Sequence, residues 1–209
     1  MNMADVLGAL GLGFLMGGAH VLMGPDHLSA LACLCSPSPR RAWILGLRWS
    51  LGHTGGVLLV AAAVGLLRGF LDVDAVAGMG EKLVGLTLIA LGVWSLLGAG
   101  RAALRPPARP HAALAVGTLH GAAGSSHILG VLPGLAQPSP AASAGYLAGF
   151  ALGTVAAMTA FAASFAFARR PTPDDAAAPL SWLVRSTACL SIACGVAWLA
   201  LPALGVELP

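Results

Sequence analysis

Six long apolar stretches alternate with short polar segments along the chain. Each stretch is long enough to cross the roughly 30 Å hydrocarbon core of a bilayer as a helix that rises about 1.5 Å per residue. We therefore predict an all-α membrane protein with six transmembrane helices. The predicted spans are at about 5–34, 43–67, 82–100, 112–134, 141–168 and 181–203.

Two of these spans carry helix-breaking residues in their interior. The first is unusually long and contains Gly24-Pro25, where proline removes a backbone donor and clashes with the preceding turn. The fourth contains Gly124, followed by two serines that can bond freed backbone groups. Irregular backbone is tolerated at membrane depth where it lines a cavity in the protein. We expect spans 1 and 4 to be broken helices.

Composition supports the membrane class, and the loop charges predict an orientation. Only 9% of residues are charged and the mean hydropathy is +0.85, whereas a soluble domain carries about 25% charge. The positive-inside rule places arginine-bearing loops in the cytoplasm. We expect a multi-pass protein of the inner (plasma) membrane with both termini outside. The loops after spans 1, 3 and 5 carry Arg40, Arg41, Arg101, Arg105, Arg109, Arg169 and Arg170.

The chain's first residues bear on its insertion in the membrane, and the motifs that it lacks bear on its class of function. The segment Met1-Asn-Met-Ala-Asp lacks the basic region of a secretory signal, so we expect the first stretch to be retained as a span. No basic patch suggests nucleic acid. No nucleotide-binding loop or other enzyme motif is visible, so we expect a transport protein and not an enzyme.

Two histidine pairs share one spacing. His20 and His27 lie seven residues apart, as do His120 and His127, and the pairs are one hundred residues from each other. An ionisable side chain inside a span is costly and is a functional-site hypothesis by default. Polar, imidazole-rich sites are therefore predicted in both halves of the chain.

Other positions repeat at nearly the same offset. Leu51-Gly52-His53 in span 2 resembles Leu152-Gly153-Thr154 in span 5. We interpret residues 1–100 and 101–209 as two three-helix repeats, although chance similarity between Ala/Leu/Gly-rich helices is the alternative. A repeat with an odd number of spans inserts in opposite orientations, which is the inverted-repeat arrangement of many secondary transporters.

The intramembrane polar residues predict a transition-metal site. Imidazoles with one carboxylate suit nickel, cobalt, zinc or copper, whereas magnesium and calcium need several oxygen ligands. Interhelical hydrogen bonds and a metal-free proton relay are the alternatives. His111 is expected in a basic loop facing water. The candidate ligands are His20, Asp26, His27, His53, His120 and His127.

The four cysteines form no C-x-x-C motif. We interpret them mainly as small buried apolar residues, with Cys33 and Cys35 as alternative soft ligands near the cytoplasmic end of span 1. The remaining two are Cys189 and Cys194.

The sequence around the first histidines resembles the nickel/cobalt transporter superfamily, especially its short six-span branch near the membrane-bound urease accessory proteins. That family carries His-x4-Asp-His on one helix and Leu-Gly-His-Ser/Thr on the next. The counterparts are His20…Asp26-His27, one residue longer and without an additional Asp, and Leu51-Gly52-His53-Thr54. By resemblance, His20, Asp26, His27 and His53 would bind the metal, with His120 and His127 as a second station or gate.

We expect uptake of nickel, or cobalt, as the transported substrate, because the histidine-rich loop typical of the family's exporters is absent. Besides the lipid bilayer, further copies of the chain and a cytoplasmic metallochaperone are open hypotheses for its partners. Efflux through the same site and an anion exporter are the alternatives. A thiol-electron carrier fits poorly, because Cys33 and Cys35 have no matching cysteine in the second half.

Overall fold

The chain folds into helices throughout the part that the computed structural model describes, which is residues 2–35, 38–67, 73–99, 110–123, 126–169 and 179–204. No strand occurs in these ranges, so the all-α prediction is confirmed. The helices are α1 (Met3–Met23), α2 (Pro25–Leu34), α3 (Pro39–Leu67), α4 (Val73–Ala99), α5 (Pro110–Ala122), α6 (Ser126–Leu135), α7 (Pro140–Ala168) and α8 (Pro179–Ala203).

The predicted break in span 1 is confirmed. α1 ends at Met23, and Gly24 takes an extended conformation with φ −91° and ψ 92°. Pro25 then opens α2, where its missing N–H is one of the donors that a helix start leaves unpaired in any case. The proline therefore stops one helix and starts the next.

Span 4 also divides into two helices. α5 ends at Ala122 and α6 begins at Ser126, while residues 124 and 125 lie outside the described ranges. Span 3 was predicted at about 82–100, and α4, the helix that contains most of it, begins earlier, at Val73. The charged pair Glu81-Lys82 was taken for the loop, although a helix can continue past its apolar portion into polar surroundings.

Four of the described helices are long and apolar enough to cross a membrane. The qualifying segments lie in α1, α4, α7 and α8: Met3–Met23, Gly78–Leu97, Pro140–Ala168 and Trp182–Pro202. α3 is 29 residues long but carries Arg40, Arg41 and Arg48 in its first half. The description as a membrane protein is thus supported, while the count of six spans remains a prediction.

Glycines let helix pairs pack closely, and the tightest of these contacts lie in two seams. α1 packs on α7 and α3 packs on α5, while α4 packs on α8. In the first seam, a Cβ added at Gly17 or Gly153 would collide with a carbonyl oxygen of the facing helix. In the second, the same holds for Gly52 and Gly121. Small residues allow the backbones to approach this closely.

The short helix α2 is enclosed by the rest of the bundle. It contacts α4, α7 and α8, and its residues from Ser29 to Leu34 are all buried. A ten-residue helix is too short to span a bilayer, but it is stable here because neighbouring helices cover it. This helix begins with Asp26 and His27, so the bundle surrounds the polar end of α2.

Candidate metal site

Four helices contribute polar side chains to one buried cluster. His20 lies in the last turn of α1, and Asp26 and His27 lie in the first turn of α2. His53 comes from α3 and His120 from the last turn of α5. We call these five residues the His/Asp cluster. The break at Gly24 lets one predicted span supply three of them from two helix ends.

His27 is at the centre of the cluster. Its ring centroid lies 5.0 Å from that of His20, 4.9 Å from that of His53 and 5.0 Å from that of His120. The imidazoles of His27, His53 and His120 are only 1–3% exposed. Histidines from both halves of the sequence therefore meet at one point inside the bundle.

The Asp26 carboxylate joins two of these histidines. Its Oδ1 lies 2.8 Å from Nδ1 of His27, and its Oδ2 lies 3.1 Å from Nε2 of His120. An ionised carboxylate only accepts hydrogen bonds, so both ring nitrogens act as donors to it. The first turn of α2 also favours negative charge at this position, because backbone N–H groups point out of a helix N-terminus.

The ligand atoms form two triads that share His27. One comprises His20, His27 and His53, and the other comprises Asp26, His27 and His120; within each triad the ligand atoms lie within 4.8 Å of one another. His120 was predicted to belong to a second station, but it contacts Asp26 directly. The structure therefore groups His120 with Asp26 and His27, whereas the sequence-based expectation placed His120 in a separate second station.

Trp49 forms an aromatic wall against the cluster. Its ring is stacked on His53, with centroids 5.3 Å apart and planes inclined by 7°, and it also lies 5.4 Å from His120. Trp49 is fully buried. Sequence reasoning missed this residue, although its position one turn before His53 on α3 was a usable signal.

Gly24 is needed for the cluster to close. A Cβ at this position would lie 2.8 Å from Nδ1 of His27 and 3.0 Å from Oδ1 of Asp26. These are the two atoms that hydrogen-bond each other, so a methyl group would push them apart. The glycine therefore serves both the helix break and the contact between Asp26 and His27.

A cavity of about 490 Å³ reaches the cluster from one side. His20, Asp26 and His27 form part of its wall. The other lining residues come from α1, the helix break, α6, α7 and α8: Met16, Ala19, Met23, Gly24, Pro25, Gly130, Phe150, Cys194, Ala197 and Trp198. A small solute in this cavity would contact both imidazole and carboxylate groups.

Other sequence-based expectations have mixed outcomes. The side chain of His127 lies outside the described part of the structure, so its role stays a prediction. His111 is exposed as expected, but it lies in the first turn of α5 and not in a loop. Cys33 and Cys35 are buried, and neither belongs to the ligand triads found among the described residues.

Comparison with known proteins gives distant relatives. The urease accessory protein UreH of Bacillus sp. (strain TB-90) is 27% identical over 144 residues, which cover 60% of this chain and 62% of UreH. The chain is a distant homologue of UreH. No protein-family model and no solved structure matches the chain.

Two plant proteins are also homologues. Chloroplast protein FOR GROWTH AND FERTILITY 1 of Arabidopsis thaliana is 31% identical over 210 residues, covering 88% of this chain and 57% of that protein. Chloroplast protein FOR GROWTH AND FERTILITY 2 of the same plant is 32% identical over 174 residues, covering 75% of the chain and 46% of that protein. The chain therefore spans about half the length of these two relatives.

Proposed function

We propose that this protein carries a divalent transition-metal ion across the membrane through the His/Asp cluster, with nickel as the first candidate and cobalt as the second. The observation that carries this proposal is the pair of buried ligand triads that share His27. Four imidazoles and one carboxylate converge from four helices, at a depth where each polar group is costly.

The donor set favours borderline metal ions. Imidazole nitrogen suits nickel, cobalt, zinc and copper, while the single carboxylate gives too few oxygens for magnesium or calcium. The single negative charge of Asp26 only partly compensates the two positive charges of the ion. The cluster can therefore bind the ion without holding it too tightly for release. In the triad of His20, His27 and His53, Asp26 orients the His27 ring through Nδ1, so that Nε2 carries the lone pair for a metal ion.

Both lines of similarity favour nickel. UreH is by name a urease accessory protein. The motif of His20, Asp26 and His27, with Leu51-Gly52-His53 on the next predicted span, resembles that of nickel/cobalt transporters. Uptake is the proposed direction. The membrane potential would favour inward movement of a dication by about 4.6 kcal/mol per 100 mV, which is twice the value for one charge.

We propose that the transporter is built from two inverted three-helix repeats, residues 1–100 and 101–209. The helix pairs support this arrangement, since α1 on α7 and α5 on α3 are exchanged when the halves are exchanged. Phe150 contacts His20 with ring centroids 5.6 Å apart, and Trp49 contacts His120 at 5.4 Å. Each aromatic ring thus covers the first histidine of the opposite half.

A proton relay is the second candidate function. The hydrogen bonds from His27 and His120 to Asp26 form a short chain of titratable groups, and such chains also conduct protons in pumps. The two candidates differ in their response to nickel, because a relay needs no bound metal.

The deciding experiment measures metal binding by the purified protein. The chain in detergent is equilibrated with nickel, cobalt, zinc or copper ions in separate samples, because copper binds most imidazole sites more tightly than nickel does, and bound metal is quantified by mass spectrometry. Transport predicts bound nickel or cobalt, whose affinity falls as the solution is acidified, because protonated imidazole cannot bind a metal ion. In liposomes the protein should let nickel reach an enclosed dye. No metal binding, with proton flux through the same liposomes, would favour the relay.

A further inference from the structure

The cavity beside the His/Asp cluster is lined in part by sulfur-containing residues that the proposed function does not use. Met16, Met23 and Cys194 line it together with His20, Asp26 and His27. Residues that carry sulfur and residues that carry imidazole therefore border the same cavity of about 490 Å³. From the sequence, Cys194 was expected to be a small buried residue, but it is only half-buried.

Cys194 is placed close to the carboxylate. Its side chain contacts that of Ser29 and lies within electrostatic range of Asp26. The Ser29 hydroxyl in turn donates to the backbone oxygen of Asp26 over 3.2 Å. The packing of α8 against α2 thus brings the thiol to the first turn of the helix that carries Asp26 and His27.

The methionines lie on the same route. Met16 precedes His20 by four residues on α1, so both side chains lie on one face of that helix. Met23 ends α1 directly before the break. Thioether and thiol groups are soft ligands that hold transition metals and give little to magnesium or calcium. A cation in this cavity would lie among residues that carry sulfur as well as imidazole groups.

We propose that this cavity is the ion's access route to the His/Asp cluster and that Cys194, with Met16 and Met23, forms a soft-ligand station in it. This proposal rests on the proposed transport function and adds a specificity determinant on α8. The station binds soft and borderline cations where the cavity meets the His/Asp cluster, and it does not bind hard cations. Cadmium, which is softer than nickel, is the probe that should depend most on it.

The chain contains its own control residue. Cys189 lies on α8 five residues before Cys194, but it is exposed and does not line the cavity. Cys33 and Cys35 are buried in the bundle. The cysteines can therefore be compared within one sample of the unmodified chain.

The first arm of the test is thiol labelling of the wild-type protein with a small maleimide, followed by peptide mass spectrometry. Saturating nickel should slow the labelling of Cys194 by about tenfold or more, because the ion occupies the cavity, while magnesium should have no effect. Labelling of Cys189 should proceed at the same rate with either ion.

The second arm compares Cys194→Ser with Cys189→Ser. Cadmium affinity should fall by about tenfold or more in the first variant and stay unchanged in the second.

The outcomes separate this inference from the transport function. Suppose that wild-type protein binds nickel, but nickel does not protect Cys194 and Cys194→Ser keeps its cadmium affinity. The soft-ligand station is then refuted, while the transport proposal stands. If wild-type protein binds none of the metals, both proposals fail. Protection of Cys194 by nickel together with a selective loss of cadmium affinity would establish the station.

Discussion

The seam between α1 and α7 and the seam between α3 and α5 are built alike but differ in chemistry. In each, glycines bring backbones into contact: Gly17 faces Phe150 and Gly153 faces Phe14 in the first seam. In the second, Gly52 faces Leu114, Gly56 faces Thr118, Gly117 faces Trp49 and Gly121 faces His53. The same means of close approach therefore operates in both halves of the bundle.

The residue that follows the matching glycine makes the difference. After Gly52, α3 places His53 in the His/Asp cluster, next to His27. After Gly153, α7 places Thr154, whose hydroxyl donates to the Gly17 carbonyl oxygen over 3.4 Å. Thr154 thus supports the helix contact, whereas His53 supplies a candidate ligand. Glycines set how close the helices come, and single polar residues decide what the seam can bind.

Converting one seam into the other should have the largest effect. His53→Thr gives α3 the residue of α7 and removes one imidazole from the triad with His20 and His27. Nickel affinity should fall by about 100-fold or more, the upper range for residues that only support ligands. Thr154→Val, which removes the corresponding hydroxyl, should leave nickel affinity nearly unchanged. Equilibrium dialysis with nickel measures both, and equal losses in the two variants would refute the difference between the seams.

Closing the gap at Gly24 should have the next largest effect. In Gly24→Ala the new methyl group would press on Nδ1 of His27 and on Oδ1 of Asp26, so nickel affinity should fall by about tenfold. Gly18→Ala is the matched control on α1, because a Cβ there meets nothing within 4 Å. A titration in which both alanine variants bind nickel like the wild type would show that the Asp26–His27 contact does not matter.

Adding a methyl group to each seam separately should have smaller effects. These variants distinguish a loss of folding stability from a loss of nickel affinity. Gly121→Ala forces a methyl group against the His53 carbonyl oxygen, and Gly149→Ala does the same against that of Leu10. Each should reduce the free energy of unfolding by about 1–3 kcal/mol, measured by thermal or denaturant unfolding in detergent. Only Gly121→Ala should also weaken nickel binding. Gly55→Ala, where a Cβ meets nothing within 4 Å, should change neither property.

Local sequence signals predicted most of the helices and most of the cluster. The apolar stretches located the helices, and Gly24-Pro25 located the break, because glycine and proline act on their own backbone. Histidines inside apolar stretches identified His20, His27, His53 and His120 without any knowledge of the packing. The start of α4 was missed because hydropathy marks the apolar part of a helix and not its polar ends.

Contacts between distant segments could not be predicted in the same way. The hydrogen bond between His120 and Asp26 joins residues 94 positions apart, and it depends on how α5 rotates against α2. The stacking of Trp49 on His53 and the position of Cys194 on the cavity wall also depend on helix rotation. Hydropathy locates the apolar part of a helix, but it does not tell which residue of a uniformly apolar helix faces the site.

Nickel binding by His27→Ala, compared with His111→Ala, tests the central claim most directly. His27 belongs to both ligand triads, and His111 is an exposed histidine of α5 outside the cluster. We predict that His27→Ala, still inserted in the membrane, loses bound nickel and nickel accumulation in cells, while His111→Ala keeps both. If His27→Ala and His53→Ala each retained wild-type nickel binding and accumulation, the cluster would be a set of interhelical hydrogen bonds and not a metal site.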